Sequence, residues 1–347
     1  MRIAAFLTLT FCLLLLLLSG CKHRPDAFGE LDEIIVFADS ADWGKYQSAI
    51  EDRFMATILT PGAEPEFNVS WKPYEAFEQY HRFKNVMFLA RLDSQEPLSA
   101  MVTKSLNDEV KAGVRSGDYF YIPQENVWAL NQYVVYLVAP SEEEMIQRLY
   151  DLGELVYDNF TESYFSRLRE RVFGRFENKE LGEYLSNNFP FSMRIQHDYY
   201  VMNESMEERF VWLRRVDQRR EIDRSLIVHW MPIEDSLRIN REWMVGQRNK
   251  LGARLLEGDI VVERETKVVQ SRFGKYPALR LEGTWMNPRL VVGGPFRTIT
   301  FVDRDQGLIF MIDFYVQAIG ERKKPFLDQL EIIAHTLKPD PVPSEGE

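Results

Sequence analysis

Cysteine is almost missing from this chain of 347 residues: it occurs only as Cys12 and Cys21. If the N-terminal segment is removed, no pair is left for a disulfide, and no thiol set remains for a structural zinc site. Histidine is scarce too, at five positions (His23, His81, His197, His229, His335), with no HxH or HExxH pair among them. No metal centre is therefore expected, and no cofactor. Basic residues are outnumbered, 42 Lys and Arg against 53 Asp and Glu. An acidic chain of this kind is a poor nucleic-acid binder, because phosphate contacts rest on clustered cations. The sequence also lacks a GxSxG elbow, a plausibly placed SxxK motif and a glycine-rich phosphate loop, so no known catalytic motif points to an enzyme.

What is present begins at the N-terminus. Arg2 precedes an apolar run from Ile3 to Leu18, the length of a signal h-region and short for a membrane span. Leu18-Ser19-Gly20-Cys21 ends that run and looks like the lipobox of bacterial lipoproteins, where the chain is cut before a diacylated cysteine. An ordinary secretory signal beside a chance cysteine would not need a small pair placed directly before the thiol. Two acyl chains suffice for stable anchoring where one binds marginally. Residues 1–20 are thus expected to be a lipoprotein signal peptide and Cys21 the lipidation site. Lys22, where Asp would signal inner-membrane retention, favours the outer membrane. The absence of an acidic run after Cys21 favours the periplasmic face over the surface. Loss of residues 1–20 removes only Arg2, so the net charge of −11 becomes −12, and the lipid anchor is the expected membrane contact.

Residues 21–30 read as a tether and 339–347, with PDPVPSEGE, as a disordered tail. Between them the chain reads as two α+β halves, 31–190 and 191–338. In the first, EIIVFA (33–38), NVMFLARL (85–92) and QYVVYLVA (132–139) are buried-strand runs. Trp43, Tyr46, Ile50, Phe54 and Ile58 mark an amphipathic helix. Ser141 and Glu144 form a capping box opening a helix to about Val172, and a short helix follows over 178–187. The second half is richer in strands: MRIQHDYYV, FVWLRRV, SLIVHWMPI, DIVVERET, YPALRLEGTW, FRTITFVD and GLIFMIDFYVQA, with helices over 235–255 and around Phe326–Leu337. The expected fold is α+β, helices packed on largely antiparallel sheets. QYVVYLVAPSEEEMIQRL and LIFMIDFYVQAIGERKKPFLDQL share a strand-then-helix plan, compatible with two related halves.

GTWMNPRLVVGGPFRTITFVD, FYVQAIGERKKPFLDQLEIIAHTLK, KNVMFLARLD and NVWALNQYVVYLVAP resemble an uncharacterised family of Gram-negative envelope lipoproteins, a domain of unknown function. The resemblance runs from about Leu31 to Leu337. It implies a lipoprotein with an α+β domain and carries no activity, ligand or catalytic residue.

Several constellations compete with plain structural readings. Asp39 and Asp42 follow the first strand, where a cation could sit, but helix capping explains them as well. His197, on the apolar face of its expected strand, and His229, beside Trp230, suit core imidazoles. Asp39-Ser40-Ala41 and Asp235-Ser236-Leu237 fit a three-residue glycosylation signal, yet both are also helix starts. The stretch RRVDQRREIDR holds Arg214, Arg215, Arg219, Arg220 and Arg224; it is either a partner-docking patch for an anionic group or a solvated hairpin laced with ion pairs. Gly293-Gly294-Pro295 reads as turn chemistry, with a bare backbone open to a ligand as the alternative. The expected function is a non-catalytic binding or assembly module with an envelope protein or glycan partner. The alternative is an envelope hydrolase built from Asp39, Asp42 and a histidine.

Overall fold

The computed structural model describes residues 24–234 and 237–340. Cys21, the signal segment, Asp235-Ser236 and residues 341–347 lie outside the described residues. The fold is α+β. In chain order its first elements are β1 (Glu33–Ala38), α1 (Ser40–Phe54), β2 (Thr57–Ile58), β3 (Glu64–Pro65), β4 (Asn68–Lys72), α2 (Phe77–Tyr80) and β5 (Asn85–Arg91). There follow α3 (Pro97–Ser105), α4 (Asp108–Ser116), β6 (Tyr121–Glu125), β7 (Tyr133–Ala139), α5 (Glu142–Phe173) and α6 (Lys179–Asn188). The remainder is β8 (Phe191–Ser192), β9 (Tyr200–Ser205), β10 (Phe210–Asp217), β11 (Ile222–Pro232), α7 (Arg241–Leu255), β12 (Ile260–Phe273), β13 (Tyr276–Asn287), β14 (Val292–Asp303), β15 (Leu308–Ala318), α8 (Lys324–Ala334) and β16 (Lys338–Pro339).

The chain divides into two compact units, one up to Ala49 with Val69–Gly153, the other Ile50–Asn68 with everything from Glu154. Residues 50–68 thus belong with the second unit although they lie in the expected first half.

The first unit holds a sheet of order β4-β1-β5-β7-β6. Its centre is parallel, with Ile35 opposite Val86 and Val86 opposite Val134. The apolar runs explain this: β1, β5 and β7 are buried on both faces, as central parallel strands must be. β6 adds an antiparallel edge, so this sheet is mixed. Leu98 and Val102 of α3 and Val114 of α4 pack on Ile35, Phe37 and Phe88. Asn107 caps α4 by accepting from Val110 N, and Gly117 ends it at φ +92°. Residues 25–28, expected within the tether, are pinned to this unit. The Pro25 carbonyl accepts from Leu130 N at 2.8 Å, Ala27 N donates to Leu130 O at 3.0 Å and Phe28 N to Arg82 O at 2.9 Å.

The second unit holds a seven-stranded antiparallel sheet of order β12-β13-β14-β15-β11-β10-β9. Its pleat sends alternate side chains to opposite faces. Phe296, Trp285 and Tyr315 pack with Met244, Val245 and Leu251 of α7, while Arg297 faces Asp328 and Glu331 of α8. The capping box of α5 forms, with Glu144 N on Ser141 Oγ at 3.4 Å. β7 has one parallel and one antiparallel neighbour, whereas β15 has two antiparallel ones.

Four further local expectations change. The helix expected over 235–255 starts only at Arg241, where Asn240 Oδ1 accepts from Trp243 N at 2.9 Å and caps it. Residues 193–199 are not a strand: His197 N donates to Phe176 O at 2.6 Å, and Tyr199 N closes a turn on Gln196 O at 3.2 Å. His197 is consequently 45% exposed rather than buried, its Nε2 2.7 Å from Asp198 Oδ1. The GGP triplet is not a turn but lies in β14, with Gly294 opposite Trp285 and Pro295 opposite Thr284. A Cβ on Gly294 would fall 1.8 Å from Val316 O, so glycine is demanded by strand approach. Pro295 is tolerated because the ladder to β15 starts only at Phe296. Finally, residues 339–340 are not tail: Pro339 pairs with Phe191, and Asp340 N donates to Pro190 O at 3.1 Å.

Candidate functional site

The densest polar grouping lies in the second unit. Helix α8 places Lys324, Asp328 and Glu331 on one stripe, four and then three residues apart, and His335 follows at its end. Lys324, Asp328 and Glu331 are themselves buried, as are the apolar Leu327, Leu330, Ile332 and Ile333 of α8, so the stripe must find partners inside the protein. The sheet supplies them. Arg297 Nη1 stands 3.1 Å from Asp328 Oδ1 and is also bonded to Glu331 Oε2. Arg280 Nη1 reaches Glu331 Oε1 at 3.2 Å. Lys324 Nζ lies 2.5 Å from Asp328 Oδ2, which also accepts from Tyr164 OH at 2.7 Å. Glu64 caps the start of α8, accepting from Lys323 N at 2.9 Å and Lys324 N at 3.0 Å. On the sheet, Glu282 gathers Lys267 and Arg280, each at 3.0 Å.

Burial pushes the Glu331 carboxyl up, but Arg297, His335 and Arg280 outweigh it and hold it well below the ordinary carboxylate range. Glu66 is the opposite case: burial raises it, and Lys324 only partly offsets that. Beside the network lies a cavity of about 120 Å³ walled by Glu66, Lys267, Arg280, Glu282 and Arg297. At about 30 Å³ per water this space holds a few waters or one small polar ligand. Its cations and carboxylates already neutralise one another. The arrangement is suited to fixing α8 on the sheet.

The residues singled out by sequence go elsewhere. Asp39 Oδ1 accepts from Leu98 N at 2.9 Å, and Oδ2 from Ser99 N at 3.1 Å and Ser99 Oγ at 2.6 Å. It therefore caps α3, not the helix that follows it. Asp42 Oδ2 is 2.9 Å from Arg91 Nε. Both carboxylates are thus occupied, and no group of three or more acid, His or Cys side chains suited to a metal occurs among the described residues. His81 stacks on Phe77 with Nδ1 3.0 Å from Phe77 O. His229 is pushed down to about 4 by burial, helped by Arg254 and Arg209. His335 stacks on Phe273. Among the described residues no histidine joins Asp39 and Asp42.

Most arginines of the 214–224 stretch have partners of their own. Arg214 pairs with Asp223 at 2.6 Å, Arg215 with Asp198 at 2.8 Å and Arg220 with Glu321 at 2.9 Å. Arg224 is only 5% exposed, bonded to Gln329 and lying over the Phe326 ring. Of the five arginines only Arg219 and Arg220 are exposed, because they lie on the turn between β10 and β11 and not on either strand. Cys21 and Asp235-Ser236 lie outside the described residues. Sequence reading missed the α8 stripe, since attention went to its apolar positions; the signal was a helix apolar on its remaining faces that still carried Lys, Asp, Glu and His at helical spacing.

Residues 27–173 match a family described as a domain of unknown function, DUF8532, and residues 178–336 match another, DUF4837. Among solved structures, the chain is similar to LpqN of Mycobacterium tuberculosis, described as involved in cell envelope biogenesis. That likeness has 14% identity, covers 44% of this chain and 83% of that one, and has a TM-score of 0.27. The Ran-binding protein Mog1p of Saccharomyces cerevisiae is similar at 10% identity, over 43% of this chain and 90% of that one, with a TM-score of 0.29. Both scores are too low for either likeness to bear on fold or function. No curated protein matches the chain.

Proposed function

We propose that this protein is a cell-envelope lipoprotein, anchored by acyl chains on Cys21, whose folded units form a non-catalytic binding or assembly module for an envelope protein or glycan. The observation that carries the non-catalytic reading is the fate of the buried acids. Asp39 is spent on the start of α3, Asp42 on Arg91, and Asp328 and Glu331 on Arg297 and its neighbours. A hydrolase built on any of these four acids would need that group left free and poised near neutral pH. The anchor reading is supported by Leu18-Ser19-Gly20-Cys21, and no helix among the described residues is long and apolar enough to cross a membrane. In this reading Lys22 favours the outer membrane, and the lack of an acidic run after Cys21 favours the periplasmic face.

Mass spectrometry of the N-terminal peptide, with membrane fractionation of wild type and Cys21→Ser, tests the anchor. Acylation at Cys21 and release of the variant are expected. An unmodified Cys21, or an unchanged membrane fraction in the variant, overturns it. Protection from protease in intact cells, lost when the outer membrane is opened, is the expected sign of the periplasmic face.

A further inference from the structure

The pinning of residues 25–28 has a geometric consequence that rests on acylation of Cys21. A chain spans at most about 3.3–3.6 Å per residue. Only Lys22, His23 and Arg24 separate Cys21 from Pro25, whose carbonyl is fixed to Leu130 N. Cys21 and Pro25 therefore stand no more than about 14 Å apart. Each headgroup layer is roughly 5–8 Å deep, so most of the remaining reach is used in crossing it. The surface of the first unit around residue 28 is held against the bilayer within about one Debye length.

That surface is not an ordinary polar one. Phe28 is 48% exposed. The Arg82 guanidinium lies over its ring at 5.2 Å, and Phe83 meets it edge-on at 6.4 Å. Tyr80 follows at 5.2 Å from Phe83, and Lys72 Nζ lies over Tyr80 at 4.7 Å. The result is a row, Arg82–Phe28–Phe83–Tyr80–Lys72, of three rings with a cation at each end; Phe28 is exposed and the other four are half-buried. Gly29 makes it possible: at φ +77°, with an added Cβ only 2.6 Å from the Phe83 ring, no other residue would let Phe28 settle there. Rings at headgroup depth with cations reaching phosphates are the side-chain chemistry of a bilayer interface. Asp26 and Glu30 are exposed on the same stretch, so the contact depends on the rings and local pairing, not on net charge.

We propose that the face of the first unit bearing Phe28, Arg82, Phe83, Tyr80 and Lys72 rests on phospholipid headgroups beside the acylated cysteine. The domain then stands on the membrane in one orientation instead of swinging on its anchor.

The test uses acylated full-length protein in vesicles of phosphatidylethanolamine and phosphatidylglycerol. With Cys21 acylated and the signal removed, the mature chain has no other thiol, so Glu30→Cys, exposed two residues from Phe28, and the control Lys104→Cys, an exposed site of the same unit, can each be labelled singly with every ring of the row kept. Headgroup spin-labelled lipid should quench the probe at position 30 several-fold more than at 104. Equal quenching at both sites, in protein whose acylation is confirmed by mass, overturns the docking surface and leaves the anchor standing. An unacylated Cys21 overturns the anchor itself. Dimers cross-linked through position 30 without quenching would assign the face to a second copy and equally overturn the lipid contact. Circular dichroism matching wild type guards against misfolding of the variant.

Discussion

Arg248 Nε stands 3.2 Å from Asp313 Oδ1 with both side chains essentially excluded from water, at 0% and 1% exposure. Asp313 Oδ1 also accepts from Thr298 Oγ1 at 2.6 Å. The guanidinium nitrogens have no well-aligned acceptor among the described residues; the contact is ionic, supplemented by the Phe296 ring at 4.3 Å. Such pairs are costly to break and cheap to replace, because half a pair is an uncompensated buried charge. Arg248→Met should therefore cost about 3–5 kcal/mol in denaturant unfolding. Adding Asp313→Val should recover much of that loss, leaving roughly 1–3 kcal/mol for the orphaned Thr298 hydroxyl. Burial already raises the Asp313 carboxyl against the pull of Arg248, and without the cation it rises further. A raised acid stabilises the native state at low pH and loses that advantage as pH climbs through its folded value. The deficit of Arg248→Met should thus be smaller at pH 4 than at pH 7. Additive losses in the double variant would show that the two charges are independent.

Asp39 sets a second test. Asp39→Ala strands two backbone N–H groups at the start of α3 and the Ser99 hydroxyl. The expected loss is about 2–4 kcal/mol, from a missing cap plus unsatisfied buried donors. Asp39→Asn keeps one acceptor and should cost less. Chelator should leave the Tm of wild type unchanged. A rise in Tm on adding a divalent cation, absent in Asp39→Asn, would instead restore the cation reading.

The elements were legible where side-chain period alone decides them. Ile34–Ala38, Val86–Ala90 and Val134–Ala139 are apolar on consecutive positions, so both faces must be covered, and they became the centre of the first sheet. What that reading lacked was partner identity. Nothing local to Asp39 says that it caps a helix 58 residues downstream, starting at Pro97. Nothing local to Gly293-Gly294-Pro295 distinguishes a turn from a strand squeezed against Trp285 and Val316. The Arg214–Arg224 stretch read correctly as a hairpin, but its exposure depended on Asp198, Glu321 and Gln329, brought in from outside it. The α8 network failed for the same reason: Arg280 and Arg297, the partners of Glu331, sit on β13 and β14.

Two groups give acid sensitivities of the same sign in separable pH windows. His229 is held neutral by burial, from 6.5 down to about 4. Above pH 6.5 both folded and unfolded forms are neutral there and it contributes nothing; as pH falls from 6.5 towards 4 the unfolded chain takes the proton first and stability drops. Since His229 retains some exposure, the loss should be about 2 kcal/mol or less after solvent screening. His229→Gln should flatten the stability curve in that window. Glu331, held low by Arg297 despite its burial, stabilises above the ordinary carboxylate value and loses that contribution only as pH falls below about 4.5. Glu331→Gln should flatten the lower window and leave the upper one intact. Denaturant midpoints measured across pH 3 to 8 separate them; a single shared transition affected equally by both variants would contradict the assignment.

Val291 is the last test, and it concerns strain at an exposed site. It lies on the loop between β13 and β14 at φ +55°, 88% exposed. A β-branched residue in the left-handed region costs about 1–2 kcal/mol relative to a right-handed conformation, and burial does not offset that cost here. The backbone is held there by Val291 N on Asn287 O at 3.0 Å, while Asn287 Oδ1 accepts from Arg289 N and Leu290 N. Glycine takes this conformation freely, at an entropic penalty of about 0.5–1 kcal/mol in the unfolded chain. Val291→Gly should therefore be neutral or stabilising, by up to about 1 kcal/mol, in contrast to most valine-to-glycine changes. Leu290, 55% exposed and adjacent, supplies the comparison: Leu290→Gly relieves no such strain and should not stabilise. If Val291→Gly destabilised by more than about 1 kcal/mol, its side chain would have to be making a contact in solution that the loop geometry does not provide.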